Sequence, residues 1–191
     1  MKPPQPKKIP KIHIAHGDER LDDYYWLRDD TRKNPEVISY LEAENKYLES
    51  WFESKNDCRK EIYNELVSFI PPHEVSMKVK YGDYFYFSEI SSDQQYKTYY
   101  REINGNKELV LDVNELAKDL DYFNVASITP SPNNHYIAYA EDLSGRREYK
   151  IKIKNLETGQ IIDESIQRSS GSVVWNKNND TIYYALKDPV T

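Results

Sequence analysis

Tyr81-Gly82-Asp83-Tyr84-Phe85-Tyr86-Phe87 has two echoes further along the chain, Asn133-Asn134-His135-Tyr136-Ile137-Ala138-Tyr139 and Asn179-Asp180-Thr181-Ile182-Tyr183-Tyr184. Each is a polar turn followed by a strand rich in aromatic and apolar residues. Phe85, Ile137 and Ile182 hold equivalent places, spaced by 52 and 45 residues. A turn-plus-strand unit at a period of roughly 45–50 residues points to β-propeller blades. A β-sandwich is the second choice, because the repeating unit is not part of its pattern.

The neighbouring stretches agree with an all-β region. Tyr149-Lys150-Ile151-Lys152-Ile153-Lys154 alternates apolar and charged residues, which predicts one face on a core and the other in water. Asn104-Gly105 separates two β-rich segments, 98–103 and 109–113, and predicts a hairpin turn. Ser144-Gly145 and Thr158-Gly159 mark further turns. The 17 tyrosines, against 5 Phe and 3 Trp, suit half-buried pleated surfaces.

Two blades and the opening of a third fit between residues 76 and 191. A propeller closes a ring of roughly four to eight blades. An open partial ring leaves unpaired strand edges that invite association. The expectation is therefore a propeller cut short of closure.

Upstream, residues 34–70 read as helical. Asn34 is a good N-cap and Pro35 suits the first helical position. Val37, Ile38, Leu41, Leu48 and Phe52 recur at helical spacing, with Tyr47 and Trp51 beside them. The pattern lapses around Lys55-Asn56-Asp57 and resumes at Ile62, Tyr63, Leu66 and Val67. That predicts two helices, or one with a soft middle, ended by Pro71-Pro72. Residues 1–33 read as an extended, Pro-rich arm with an aromatic anchor around Trp26. The whole is α+β: an arm and helical segment over residues 1–75, then a partial propeller over residues 76–191.

The formal net charge of −6 argues against a nucleic-acid partner, since phosphate binding draws on clustered Lys and Arg. Lys2, Lys7, Lys8 and Lys11 are spread along the Pro-rich start and read as a solvated arm. No run approaches the roughly 18 apolar residues of a membrane span, so no membrane partner is expected. Cys58 is the only cysteine, which fits a reducing compartment, and the start lacks a secretory apolar stretch. The expected location is cytoplasmic. Asn179-Asp180-Thr181 matches a glycosylation acceptor, which has no bearing on an unsecreted chain.

Glycine spacing tests the chain for chemistry. Gly17, Gly82, Gly105, Gly145, Gly159 and Gly171 include no pair four apart and no pair two apart. The nucleophile elbow G-x-S-x-G and the dinucleotide fingerprint G-x-G-x-x-G are both excluded, and no cofactor is expected. Ser169, Ser170 and Ser172 flank Gly171 and read as a turn between blades. His13 and His16 are three apart, but Pro10 and Gly17 disfavour a helix there, so no metal site is expected. His73 and His135 complete the histidines, and His135 reads as a turn residue. Asp22, Asp23, Asp29 and Asp30 read as a charged surface flanking Trp26, in preference to a cation site. The sequence assigns no catalytic, cofactor-binding or metal residue, and leaves open whether the chain is itself an enzyme.

One long stretch carries a family likeness. His16-Gly17-Asp18-Glu19-Arg20-Leu21-Asp22-Asp23-Tyr24-Tyr25-Trp26-Leu27-Arg28-Asp29-Asp30 resembles the N-terminal signature of the oligopeptidase B (protease II) group within the prolyl oligopeptidase family of serine peptidases. Similar stretches follow in order: Pro35-Glu36-Val37, Tyr40-Leu41-Glu42-Ala43-Glu44-Asn45, Ile70-Pro71 with Glu74-Val75-Ser76, Ala140-Glu141-Asp142, Asn155-Leu156-Glu157-Thr158-Gly159 and Lys187-Asp188-Pro189-Val190-Thr191. The resemblance implies a parent in which an α/β-hydrolase domain is capped by a seven-bladed propeller. It implies cleavage of short peptides after Arg or Lys by a Ser, Asp and His that lie outside this chain. It also implies that residues 1–75 pack on that hydrolase domain, the expected partner. A stand-alone propeller-derived binding module and the remnant of a broken gene remain alternatives.

Overall fold

The computed structural model describes residues 2–188; Met1, Pro189, Val190 and Thr191 lie outside the described residues, and with them the end of the 187–191 stretch. The chain divides into two compact units, Met1–Ile70 and Pro71–Thr191.

In the first unit the arm is not simply extended. Strands β1 (Lys11–Ala15) and β2 (Asp18–Asp22) pair antiparallel, with Ile12 opposite Leu21 and Ile14 opposite Glu19. His16 and Gly17, both at positive φ, make the tight turn. The sequence conceals this hairpin because Asp18-Glu19-Arg20-Leu21-Asp22 has no apolar alternation. Trp26 lies in a short 3-10 turn, and its Nε1 donates to the Lys7 carbonyl at 2.8 Å. The arm is thereby tied to the aromatic anchor.

Helix α1 (Pro35–Phe52) starts as its sequence demands. The Asn34 side chain accepts from the Glu36 N–H, and Pro35 occupies the first turn. A 3-10 turn, Glu53–Lys55, separates it from α2 (Asn56–Ser68). The interruption falls where the apolar stripe lapses. Val37 is buried, whereas Leu41, Leu48 and Trp51 on α1 and Ile62, Tyr63 and Leu66 on α2 are exposed.

The second unit holds two antiparallel sheets. In the first, β3 (His73–Val75) and β4 (Val79–Tyr81) both pair with β5 (Tyr84–Ser91), followed by β6 (Thr98–Ile103) and β7 (Asn106–Asp112). Because His73–Val75 add a strand here, the sheet begins before residue 76. A short helix α3 (Val113–Leu116), capped by Asp112, leads to the second sheet. Its strands are β8 (Asn124–Pro130), β9 (Tyr136–Asp142), β10 (Tyr149–Asn155), β11 (Ile161–Trp175) and β12 (Ile182–Leu186), paired in that order.

The sequence repeat is a repeat of hairpins. β4–β5, β8–β9 and β11–β12 turn through Gly82, Asn134 and Asn179, each at φ between 60 and 66°. β11 serves two blades. Its first half pairs with β10, and its second half, Val173–Trp175 in register, pairs with β12. The passage between blades therefore lies inside a bent strand, not in the turn expected at Ser169 and Ser170. Positive φ at Arg168 and Gly171 supplies the bend.

β9 is buried on both faces. Ile137 and Tyr139 join Val110, Leu111, Val113 and Phe123 in one core cluster; Ala138 and Ala140 join Tyr149, Ile151 and Val173 in another. This position also corrects the expectation for β10. Its lysine face is half-buried: Lys152 pairs with buried Glu141 at 2.8 Å, and Lys154 Nζ donates to the Val110 carbonyl at 2.9 Å. The aliphatic stems pack and only the tips need polar partners.

Candidate functional site

The polar residues of the second unit concentrate where successive hairpins meet. Arg101 on β6 is 5% exposed. Its Nε donates to Glu108 Oε2 at 2.6 Å, its Nη1 to the Asn134 carbonyl, and its guanidinium lies 4.3 Å from the centroid of Tyr84. A planar donor fork on an aromatic face is a role Lys does not fill. The Tyr86 hydroxyl donates to Asn134 Oδ1 at 2.8 Å. A polar cleft of about 330 Å³ opens beside this network, walled by Tyr84, Arg101, Glu108, Asn133, His135 and Glu157. His135 Nδ1 lies 2.7 Å from Glu157 at its rim.

The next meeting point repeats the theme. The Asn133 N–H donates to Asn179 Oδ1 at 2.7 Å, the Trp175 indole to the Thr129 carbonyl at 3.0 Å, and the Val173 N–H to Ser127 Oγ at 3.1 Å. An apolar recess of about 310 Å³, lined among others by Met77, Val79, Tyr86, Phe87, Tyr100 and Ile128, lies between the sheets.

Buried ionisable groups here serve architecture. Burial would push the Asp142 carboxyl up, but the Ser144 N–H and hydroxyl and the N–H groups of Arg147 and Gly145 outweigh it and hold it below the usual carboxylate range. Burial raises the Tyr139 phenol well above its ordinary value, and the charges of Glu141 and Glu164 act the same way. Burial lowers the Lys154 ammonium. Asp142 closes the turn after β9, Tyr139 belongs to the core cluster, and Lys154 meets the Val110 carbonyl.

The residues singled out in the sequence do not converge. Ser169 is fully buried in β11, where its Oγ accepts from the Gly171 N–H at 3.3 Å. His13 Nε2 lies 4.0 Å from Asp22, its ring 4.7 Å from that of Tyr25, while His16 sits in the β1–β2 turn. Asp29 closes the loop before α1, and Arg28 pairs with Asp30 at 3.3 Å. Cys58 is exposed on α2. Among the described residues, no three His, Cys, Asp or Glu side chains gather as a metal site. His73 Nδ1 lies 3.3 Å from Ser91 Oγ across the β3–β5 pair. Among the described residues no acid pairs with that exposed histidine, the third group that orients the base of a hydrolytic serine. Sequence reasoning missed Arg101 and Asn134. The repeat signalled Asn134, and nothing local signalled Arg101.

The fold and its junctions define a class of protein: an arm and helices followed by the opening blades of a β-propeller. The chain belongs to the prolyl oligopeptidase family; residues 3–191 match its description "Prolyl oligopeptidase, N-terminal beta-propeller domain". It is 36% identical to Protease 2 of Moraxella lacunata over 98% of this chain and 28% of that protein. It is 33% identical to dipeptidyl aminopeptidase BI of Pseudoxanthomonas mexicana over 99% of this chain and 29% of that protein. Oligopeptidase B from Leishmania major superposes with a TM-score of 0.87 at 28% identity, covering 98% of this chain and 29% of that one. The chain thus spans less than a third of the relatives it matches. No helix among the described residues is long and apolar enough to cross a membrane.

Proposed function

We propose that this chain is the strap and the first blades of the lid of an oligopeptidase B-like serine peptidase, and that it carries no catalytic residue of its own. One observation carries the reading: the hairpin repeat through Gly82, Asn134 and Asn179 builds blades that this length cannot close into a ring. The match to the propeller domain, and relatives named Protease 2 and oligopeptidase B, support it. The partner is the α/β-hydrolase domain, which residues 1–75 strap and the blades cover. The exposed apolar residues of α1 and α2 supply a surface for it. The substrates of the whole are short peptides cleaved after Arg or Lys, in a cytoplasmic setting consistent with the lone Cys58.

A second reading concerns specificity. Dipeptidyl aminopeptidase BI is about as similar as Protease 2, so release of dipeptides stands beside cleavage after basic residues. The purified 191-residue chain is expected to leave an Arg-amide and a dipeptidyl-amide substrate uncleaved and to bind no serine-directed phosphonate. Turnover with a titratable serine overturns the reading.

A further inference from the structure

Three turns of the propeller unit place a residue in the left-handed conformation at the same point of the repeat: Gly82, Asn134 and Asn179. Two of the three carry a side chain, and both side chains reach back to the preceding hairpin. Asn134 Oδ1 accepts the Tyr86 hydroxyl at 2.8 Å, and Asn179 Oδ1 accepts the Asn133 N–H at 2.7 Å. Gly82 has nothing to reach with, and a Cβ there would meet Asn134 Nδ2 at 2.6 Å. The contact therefore has a direction. It starts at a glycine and is handed forward, each later turn satisfying a donor of the turn or strand before it.

We propose that these turns form a one-way registry between blades, and that the turn at Asn178-Asn179-Asp180 is the receiving surface for the next blade. Its occupant is a hairpin turn bearing a carboxamide or carboxylate in the left-handed conformation. Asn and Asp combine tolerance of that conformation with a short side-chain acceptor. Asn178 stands before Asn179 as Asn133 stands before Asn134. It is exposed, and its N–H has no hydrogen-bond partner among the described residues. A second copy of this chain does not match the surface, because the left-handed position of its leading turn is Gly82, which has no side-chain acceptor. The inference rests on the propeller reading above and adds the chemistry of the partner.

Residue-resolved amide exchange tests it. In the 191-residue chain the Asn133 amide is protected, and Asn179→Gly, which keeps the left-handed backbone, speeds its exchange roughly fivefold to tenfold, the effect of one lost hydrogen bond. Asn179→Asp keeps an acceptor and keeps the protection. Unchanged exchange in Asn179→Gly overturns the registry. In a full-length relative such as Protease 2, the amide aligned with Asn178 is protected; exchange at open-loop rates there overturns the receiving surface. If instead the amides of Tyr149–Asn155 are unprotected in this chain, the propeller reading itself fails and the registry with it.

Discussion

Arg101 and Asn134 bind the two sheets of the propeller unit together: the guanidinium, nearly sealed from water, donates to the Asn134 main-chain carbonyl at the tip of the next hairpin. The same side chain pairs with Glu108 on its own sheet. Removing it orphans a carbonyl between blades and opens a gap over Tyr84. Arg101→Ala is expected to destabilise the propeller unit by about 2–4 kcal/mol. Glu108→Gln, at a partner 41% exposed, is expected to cost less than about 1 kcal/mol. Urea unfolding followed by tyrosine and tryptophan fluorescence distinguishes the two. Equal effects would show that the surface ion pair, not the carbonyl contact, holds the junction.

The bend in β11 offers a second test. Gly171 has φ +94°, and a Cβ there would lie 2.9 Å from the Tyr149 ring. Gly171→Ala meets both a strained backbone and a packed aromatic, and is expected to cost roughly 2–3 kcal/mol. Gly159→Ala has open space around it, so only the backbone strain at φ +75° remains, roughly 1 kcal/mol. Thermal unfolding of both variants orders them. A smaller loss at Gly171 than at Gly159 would refute the packing argument.

Acid should loosen the entry to α1. The Thr31 hydroxyl, and the N–H groups of Asn34, Lys33 and Thr31, hold the Asp29 carboxyl down to about 2, from an ordinary value of 3.8. The folded form prefers the ionised group. Its contribution is complete above pH 3.8 and disappears as pH falls from there to about 2. Helical circular dichroism near 222 nm is expected to fall across that window. In Asp29→Asn the fall is shallower and the starting signal lower. An identical acid profile in the variant would exclude this carboxylate as the cause.

Exposed apolar residues on α1 should make the isolated chain associate. Leu41 and Leu48 are 52% and 53% exposed. Two charges on that face, Leu41→Glu with Leu48→Glu, are expected to lower the apparent mass in light scattering while leaving the helical signal intact. An unchanged distribution of masses would place the association elsewhere, at the open strand edges.

Some of these features are legible in the residues themselves. Asn34 and Pro35 announce the start of α1 because a helix N-terminus has unsatisfied N–H groups that a local side chain meets. Asn104-Gly105 announces a hairpin because both residues tolerate positive φ, and they adopt 50° and 80°. The partners of Arg101 are not legible. Glu108 lies 7 residues away across a hairpin, and Asn134 lies 33 residues away in another sheet. The β1–β2 hairpin is hidden because its pairing rests on backbone bonds between strands without an apolar alternation.

Residue order and local conformational preference are enough to define a helical segment followed by a strand-rich one, the propeller period and the family. Packing was needed to establish that β11 serves two blades, that the lysines of β10 are half-buried, and that Asn134 and Asn179 reach backward. Those facts arise where strands distant in the chain come within hydrogen-bond reach. No periodicity records that, because the free energy of such contacts exists only once two sheets have packed.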